Sequence, residues 1–239
     1  MLKAEDLSKT YDDGIKALKN LNLEIKEGEI YCLLGANGAG KTTTINLFLN
    51  FINPTSGKAY INGIDVTKNP LETKKYVAYV PENVMLYGNL RAAHNLEFFS
   101  KLGGKKDLNK DDYYSILRRV GLQENAFEKK IKYFSKGMRQ KVALAIAIIK
   151  DASNMLLDEP TVGLDPKSAH DFTEILLDLK NENKAILIST HDLFRARQIA
   201  SRIGIMKNGV LAAEMKPQDI VNENIEEIYL HYIDDENVS

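Results

Sequence analysis

IYCLLGANGAGKTTTINLF, residues 30–48, decides the fold. The first five residues, Ile30–Leu34, are apolar without a break. Such a run predicts a short strand covered on both faces, as inside a parallel sheet. From Thr42 the run TTTINLFLNFI spaces its apolar residues as a helix does, until Pro54 and the Thr55-Ser56-Gly57 turn stop it. Between strand and helix stands GANGAGKT, residues 35–42, which matches the spacing G-x-x-x-x-G-K-[ST]. Glycines here let backbone N–H groups close around phosphate oxygens. The helix start adds unpaired N–H groups and the positive end of its dipole. Lys41 is placed to reach β- and γ-phosphates, and Thr42 to put a hydroxyl on magnesium.

Short strand-like runs lie on both sides of this stretch. LNLEI (21–25) alternates apolar and polar residues, and Gly28 marks the turn after it. AYINGIDV (59–66) predicts a hairpin about Asn62-Gly63. YVAYVP (76–81) is another strand. From residue 84 to residue 150 the spacing becomes helical, as in LRAAHNLEFFSKL and DDYYSILRRVGL. Strands return with NMLLDEP (154–160) and AILIST (185–190). The run DLFRARQIASRI (192–203) predicts a helix, and IGIMKNGVLAAEM (203–215) a hairpin about Asn208-Gly209. This order predicts a mainly parallel α/β sheet interrupted by a helical insert. The acidic tail, DDENVS, is expected to fray.

The composition is that of a globular chain with a real core: 239 residues, 44% hydrophobic and 27% charged. A formal net charge of -1 disfavours a strongly basic nucleic-acid binder. The single cysteine, Cys32, excludes an intrachain disulfide and fits a reducing compartment. Its apolar neighbours predict plain core packing. The longest apolar candidate, VALAIAII (142–149), falls well short of the roughly 18–20 residues that span a bilayer. The first residues, MLKAEDLSKTYDD, do not read as a signal peptide. Work at a membrane would therefore be done from its side.

A phosphate-binding loop of this kind needs an acid on a neighbouring strand. NMLLDEP supplies two: Asp158 can hold magnesium through water, and Glu159 can act as general base towards an attacking water.

Further along, AYVPE, YFSKGMRQKVALAIAI, LLDEPTVGLDP and LISTHD follow the P-loop in that order. In this order the motifs resemble the ATP-binding cassette superfamily over nearly the whole chain, most closely the cassette subunits of export-type transporters encoded without their membrane domains. The resemblance implies a P-loop NTPase, RecA-like α/β core with an N-terminal antiparallel β subdomain and an inserted α-helical subdomain at about 84–150. It implies one cassette domain over 1–239, closing with a C-terminal helix and tail at about 216–239.

By the same resemblance ATP and Mg2+ are the cofactors. ATP is bound by Tyr11, Gly35, Asn37, Gly38, Ala39, Gly40, Lys41, Thr42 and Thr43, with Tyr11 stacked on adenine. Ser135 and Gly137 bind the γ-phosphate of a nucleotide held by a second subunit. Ser135, Lys136, Gly137 and Asp165 face that subunit. Thr42, Glu82 and Asp158 serve the metal, and Glu159 and His191 serve catalysis. His94, His170 and His231 fit no such motif and predict helix-surface or packing positions. The resemblance departs at three positions: Glu82 replaces a usual Gln, and Lys136 and Met138 replace a small residue and a Gln in the signature. A carboxylate at 82 can bind a cation but cannot donate as an amide does.

The implied function is an ATPase, turning ATP and water into ADP and phosphate, coupled to transport. Its partners are a second copy or a related ATP-binding subunit and a separate transmembrane permease, with no nucleic acid. The location is cytoplasmic, peripheral on the inner face of the membrane. Met85, Leu86 and Tyr87 are the candidates for the permease contact. The alternative is a soluble ATPase of the same superfamily working in repair, chromosome structure or translation. The insert shows no sustained heptads, and the chain carries one P-loop.

Overall fold

A computed structural model describes residues 1–220 and 224–234. Among these, the strands are β1 (Leu2–Thr10), β2 (Lys16–Ile25), β3 (Ile30–Leu34), β4 (Ser56–Ile61), β5 (Ile64–Asp65), β6 (Val77–Val80), β7 (Asn154–Asp158), β8 (Ala185–Thr190), β9 (Arg202–Lys207) and β10 (Val210–Met215). The helices are α1 (Lys41–Phe48), α2 (Pro70–Thr73), α3 (Ala92–Leu102), α4 (Lys110–Arg119), α5 (Glu124–Phe127), α6 (Lys136–Lys150), α7 (Pro166–Asn181), α8 (Leu193–Ile199) and α9 (Ile225–Asp234).

β2-β1-β4-β5 form an antiparallel sheet. The larger sheet has the order β10-β9-β3-β8-β7-β6, with only β10 antiparallel to its neighbour. The parallel strands β3, β7 and β8 are buried at every position, which is why β3 reads as an unbroken apolar run and β7 and β8 as apolar runs with polar residues only at their ends. Side chains alternate across such a strand. Ile30, Cys32 and Leu34 join the core shared with the helical insert, while Tyr31 and Leu33 join the core beneath the antiparallel sheet. Burial pushes the Cys32 thiol up to about 12, so it stays protonated core filling.

Register matters most for the site. Leu34 lies beside Thr190, Ser189 beside Asp158, and Leu157 beside Val80. The C-terminal ends of β3, β8, β7 and β6 therefore finish at one edge, where ligands of open parallel sheets bind.

Both predicted hairpins form. Asn62-Gly63 and Asn208-Gly209 have positive φ at both positions, as a two-residue turn of the right twist needs. Elsewhere the boundaries move. Helix begins at Ala92, not near residue 84. The fully buried Asn95 side chain accepts from Tyr87 N–H at 2.9 Å and donates to the Tyr87 and Arg91 carbonyls at 3.1 and 3.0 Å, tying the preceding segment down as a loop. α8 stops at Ile199, short of the helix predicted to residue 203. There Ser201 N–H bonds the Ile30 carbonyl at 2.7 Å, and Arg202 pairs beside Tyr31 in the sheet. α7 comes from a stretch with no predicted helix.

VALAIAII lies within α6. Val142, Leu144 and Ala145 are fully buried against the insert and sheet. Among the described residues no helix is long and apolar enough to cross a membrane. Residues 235–239 of the acidic tail lie outside the described residues.

Candidate active site

The loop from β3 to α1 is shaped by its glycines. Gly38 and Gly40 have φ of 83° and 109°, in the left-handed region. A Cβ on Gly35 would stand 2.7 Å from the Met206 carbonyl, and one on Gly40 2.6 Å from the Ala17 carbonyl. Ala39 accepts from Gly209 N–H at 3.0 Å, which ties the loop to the β9–β10 turn. No side chain caps α1, so its first-turn amides are left for an anion. An open depression of about 340 Å³ lies on this loop, lined by residues 36–39 with Met206, Lys207 and Asn208. A second one of the same volume lies between β6, α3 and α6 and touches none of the charged residues of this loop. Volume alone therefore does not mark the chemistry.

The buried Lys41 ammonium donates to the Gly35 and Ala36 carbonyls at 2.7 and 3.2 Å. It also lies 3.5 Å from Glu159 Oε1. Thr42 donates to Asp158 Oδ1 at 3.2 Å. Glu159 is only 9% exposed, and both its carboxylate oxygens are buried without a hydrogen-bond partner. His191 Nδ1 comes within 3.0 Å of Glu159 Oε2 without forming a hydrogen bond to it. A carboxylate is costly to leave in this state. Its place suits a group whose partner arrives with the substrate.

Magnesium fits the pair Thr42 and Asp158, because the ion binds through one or two protein oxygens together with phosphate oxygens and water. Among the described residues no group of three or more His, Cys, Asp or Glu could hold a metal unaided. No described hydrogen bond or ion pair joins Glu82 to Thr42 or Asp158, although Tyr79 lies near enough to feel the charge of both Glu82 and Asp158. Glu82 instead offers its backbone carbonyl to Gln140 Nε2 at 3.5 Å.

Tyr11 is 36% exposed, and its hydroxyl lies 3.4 Å from Thr43 Oγ1, beside the loop. Ser135 caps α6, accepting from Met138 N–H at 3.2 Å. Asp165 caps α7, accepting from Ser168 N–H at 3.0 Å and from the Ser168 hydroxyl. These bonds hold the Asp165 carboxyl below the usual carboxylate range, the hydroxyl bond most strongly. The two helix starts abut. A Cβ on Gly137 would stand 3.1 Å from Ser168 Oγ, and Lys136 runs along Gly163. No described hydrogen bond or ion pair links Ser135, Lys136 or Gly137 to residues 35–42. His94, His170 and His231 are exposed on helices α3, α7 and α9.

Three residues escaped sequence reasoning. Gln140 is buried in α6 and donates to the Pro160 carbonyl at 3.0 Å. Ser189 contacts both acids of β7 and the turn after it. Asn95 pins the 87–91 loop. A polar residue ending an otherwise apolar run was the available signal for Ser189, whereas Gln140, between Arg139 and Lys141, carried none. Leu86 packs partly on the core, whereas Met85 and Tyr87 are 86% and 51% exposed. Of the three candidates for a partner face, Leu86 is thus part of the chain's own packing.

Residues 18–162 match the sequence profile of the family described as ABC transporter. The bacitracin transport ATP-binding protein BcrA of Bacillus licheniformis is 38% identical over 216 residues, covering 90% of this chain and 69% of that protein. The human phospholipid-transporting ATPase ABCA3 is 35% identical over 214 residues, and the match spans only 12% of its length. Among solved structures, the dimeric ATP-binding cassette MJ0796 in a post-hydrolysis state with ADP and Pi superposes with a TM-score of 0.82 at 31% identity. That match covers 91% of this chain and 99% of that one.

Proposed function

The chain belongs to the ABC transporter family, and we propose that it is the ATP-hydrolysing subunit of an exporter, working with a separate membrane-spanning partner. One observation carries the catalytic half of this reading. Glu159 is a buried carboxylate with both oxygens unpartnered, 3.5 Å from the Lys41 ammonium at the mouth of a phosphate loop. Export is supported by the relative named for bacitracin transport.

Chemically, Lys41 turns from the Gly35 and Ala36 carbonyls to the β- and γ-phosphates, and the α1 amides complete the cradle. Thr42 and Asp158 would hold Mg2+, which would supply charge neutralisation on the phosphates. Glu159 accepts a proton from the attacking water as its oxygen bonds to the γ-phosphorus. The bond to the β–γ bridging oxygen breaks, and ADP leaves as the other product. His191, beside Glu159, serves the γ-phosphate end of the site. Tyr11 stacks on adenine.

Two chains close around two nucleotides, each site joining the P-loop of one chain to the Ser135–Gly137 helix start of the other. The support is that both motifs suit phosphate, yet no described bond joins them within one chain. Met85 and Tyr87 offer the exposed apolar surface for the membrane partner. Mixing Lys41→Ala with Ser135→Arg tests the shared site. Each variant alone has no intact site and should be inactive. In the mixed dimer both defects fall in one site, so ATP trapping or turnover should return. Neither signal in mixtures shown to contain heterodimer refutes the shared site.

A further inference from the structure

Ser189 stands where an apolar residue is expected. β8 reads AILIST, and every one of its positions is buried. Ser189 itself is 0% exposed. A hydroxyl taken out of water is unfavourable unless it finds partners, and this one finds two. Its Oγ donates to Asp158 Oδ1, and it accepts from the Glu159 N–H at 3.2 Å. The same N–H also reaches the Ser189 carbonyl at 3.0 Å. One side chain therefore spans two consecutive acids on the neighbouring strand.

The need for this arises from strand geometry. Successive residues of a strand point to opposite faces, so Asp158 and Glu159 would diverge if β7 ran straight on. Instead Glu159 has φ of 44°, a left-handed conformation unfavourable for a side chain with a Cβ. With that turn, Glu159 lies 3.5 Å from Lys41 while Asp158 keeps Thr42 at 3.2 Å. Both acids thus serve one phosphate loop. Ser189 holds the turned backbone through two acceptors, its carbonyl and its hydroxyl. At Asp158 the Ser189 and Thr42 hydroxyls both go to Oδ1. This fixes the carboxylate plane and leaves Oδ2 without a protein donor among the described residues.

We propose that Ser189 is a positioning residue of the ATPase site, its hydroxyl orienting the Asp158 carboxylate for magnesium and steadying the turn that carries Glu159. This rests on the roles given above to Asp158 and Glu159. A serine that merely filled space would be replaced by alanine with no change in metal dependence. Groups that orient a metal ligand behave otherwise, and their removal typically costs about 10–100-fold in metal affinity or activity.

The test uses the full chain and three substitutions. Ser189→Ala removes the hydroxyl without adding bulk. Ser189→Thr and Ser189→Val add the same volume and differ only in the hydroxyl, so overpacking cancels between them. ATP affinity is measured in EDTA and in Mg2+, alongside kcat, the Mg2+ concentration for half-maximal turnover, and Tm. Ser189→Ala should lower kcat and raise the Mg2+ requirement by about 10-fold or more. Its ATP affinity in EDTA should stay within about twofold of the parent. Ser189→Thr should outperform Ser189→Val in Mg2+ dependence.

The proposal is overturned if Ser189→Ala matches the parent within about twofold in both kcat and Mg2+ requirement. Equal behaviour of the Thr and Val variants overturns it too. If the alanine variant does not fold, the Thr–Val pair decides alone. The Lys41→Ala variant separates the two levels. A parent chain whose ATP binding and turnover are untouched by Lys41→Ala refutes the ATPase site itself. A parent that depends on Lys41 but not on Ser189 refutes only this inference.

Discussion

Glu159→Gln keeps the size of the side chain and removes a charge and a proton acceptor. In the structure the carboxylate is 9% exposed and forms no hydrogen bond, so no protein bond is lost by the change. The Lys41 ammonium lies 3.5 Å from its Oε1. Removing the negative charge frees that ammonium for phosphate and removes a repulsion near the place of the γ-phosphate. ATP affinity should therefore hold or rise. Turnover should collapse. A general base typically contributes about 10²–10⁴-fold, or about 2.7–5.4 kcal/mol of barrier at 1.36 kcal/mol per decade. Nucleotide affinity, steady-state turnover and Tm are measured on one preparation, the last to establish that the fold is intact. Turnover within about threefold of the parent would remove Glu159 from the chemistry. A loss of ATP affinity beyond about tenfold would instead place Glu159 among the binding groups.

Tyr11→Ala should weaken ATP binding by about 1–3 kcal/mol, the scale of base–aromatic stacking, whereas Tyr11→Phe keeps the ring and should bind nearly as well as the parent. Equal affinities for the two variants in a titration would place Tyr11 away from adenine. A second expectation concerns acid. Tyr114, Arg91 and Lys110 all contact Glu128 and hold its carboxyl down to about 2, the Tyr114 hydroxyl most strongly. A folded-state value below the unfolded one means that these contacts stabilise the fold above the usual carboxylate range. That stability is lost as pH falls from about 4.5 towards 2. Glu128 is partly solvated, so screening limits the effect to about 1 kcal/mol. Urea midpoints of the parent and Glu128→Gln should differ at pH near 6 and converge near pH 2; a constant difference across that range contradicts the assignment.

The phosphate loop was legible in the sequence because its chemistry is local. A buried strand, three glycines, a lysine and a threonine within residues 30–42 determine by themselves where backbone amides point. The same holds for the Asn62-Gly63 and Asn208-Gly209 turns, which need only two adjacent residues able to take positive φ. α7 was legible but unread: Asp165-Pro166 is a cap and first-turn pair, and Ala169, Phe172, Leu176 and Leu179 follow at helical spacing.

Other features depend on strands brought side by side. Whether Ser189 is filler or a support for two acids depends on β8 lying in register beside β7, with Ser189 opposite Asp158. Thr42 and Asp158 are far apart in sequence, and only the neighbouring ends of β3 and β7 bring them into contact. The same limit set the end of α8. Its helical spacing continues past Ile199, but Arg202 is drawn into the sheet beside Tyr31 and paired with Glu29 and Glu214. Residue type and spacing determine what a few neighbouring groups can do. The partners of a buried hydroxyl, amide or carboxylate are chosen by strand order and register, because in a dry interior such a group is bonded or left unpaired by whatever distant segment packs against it.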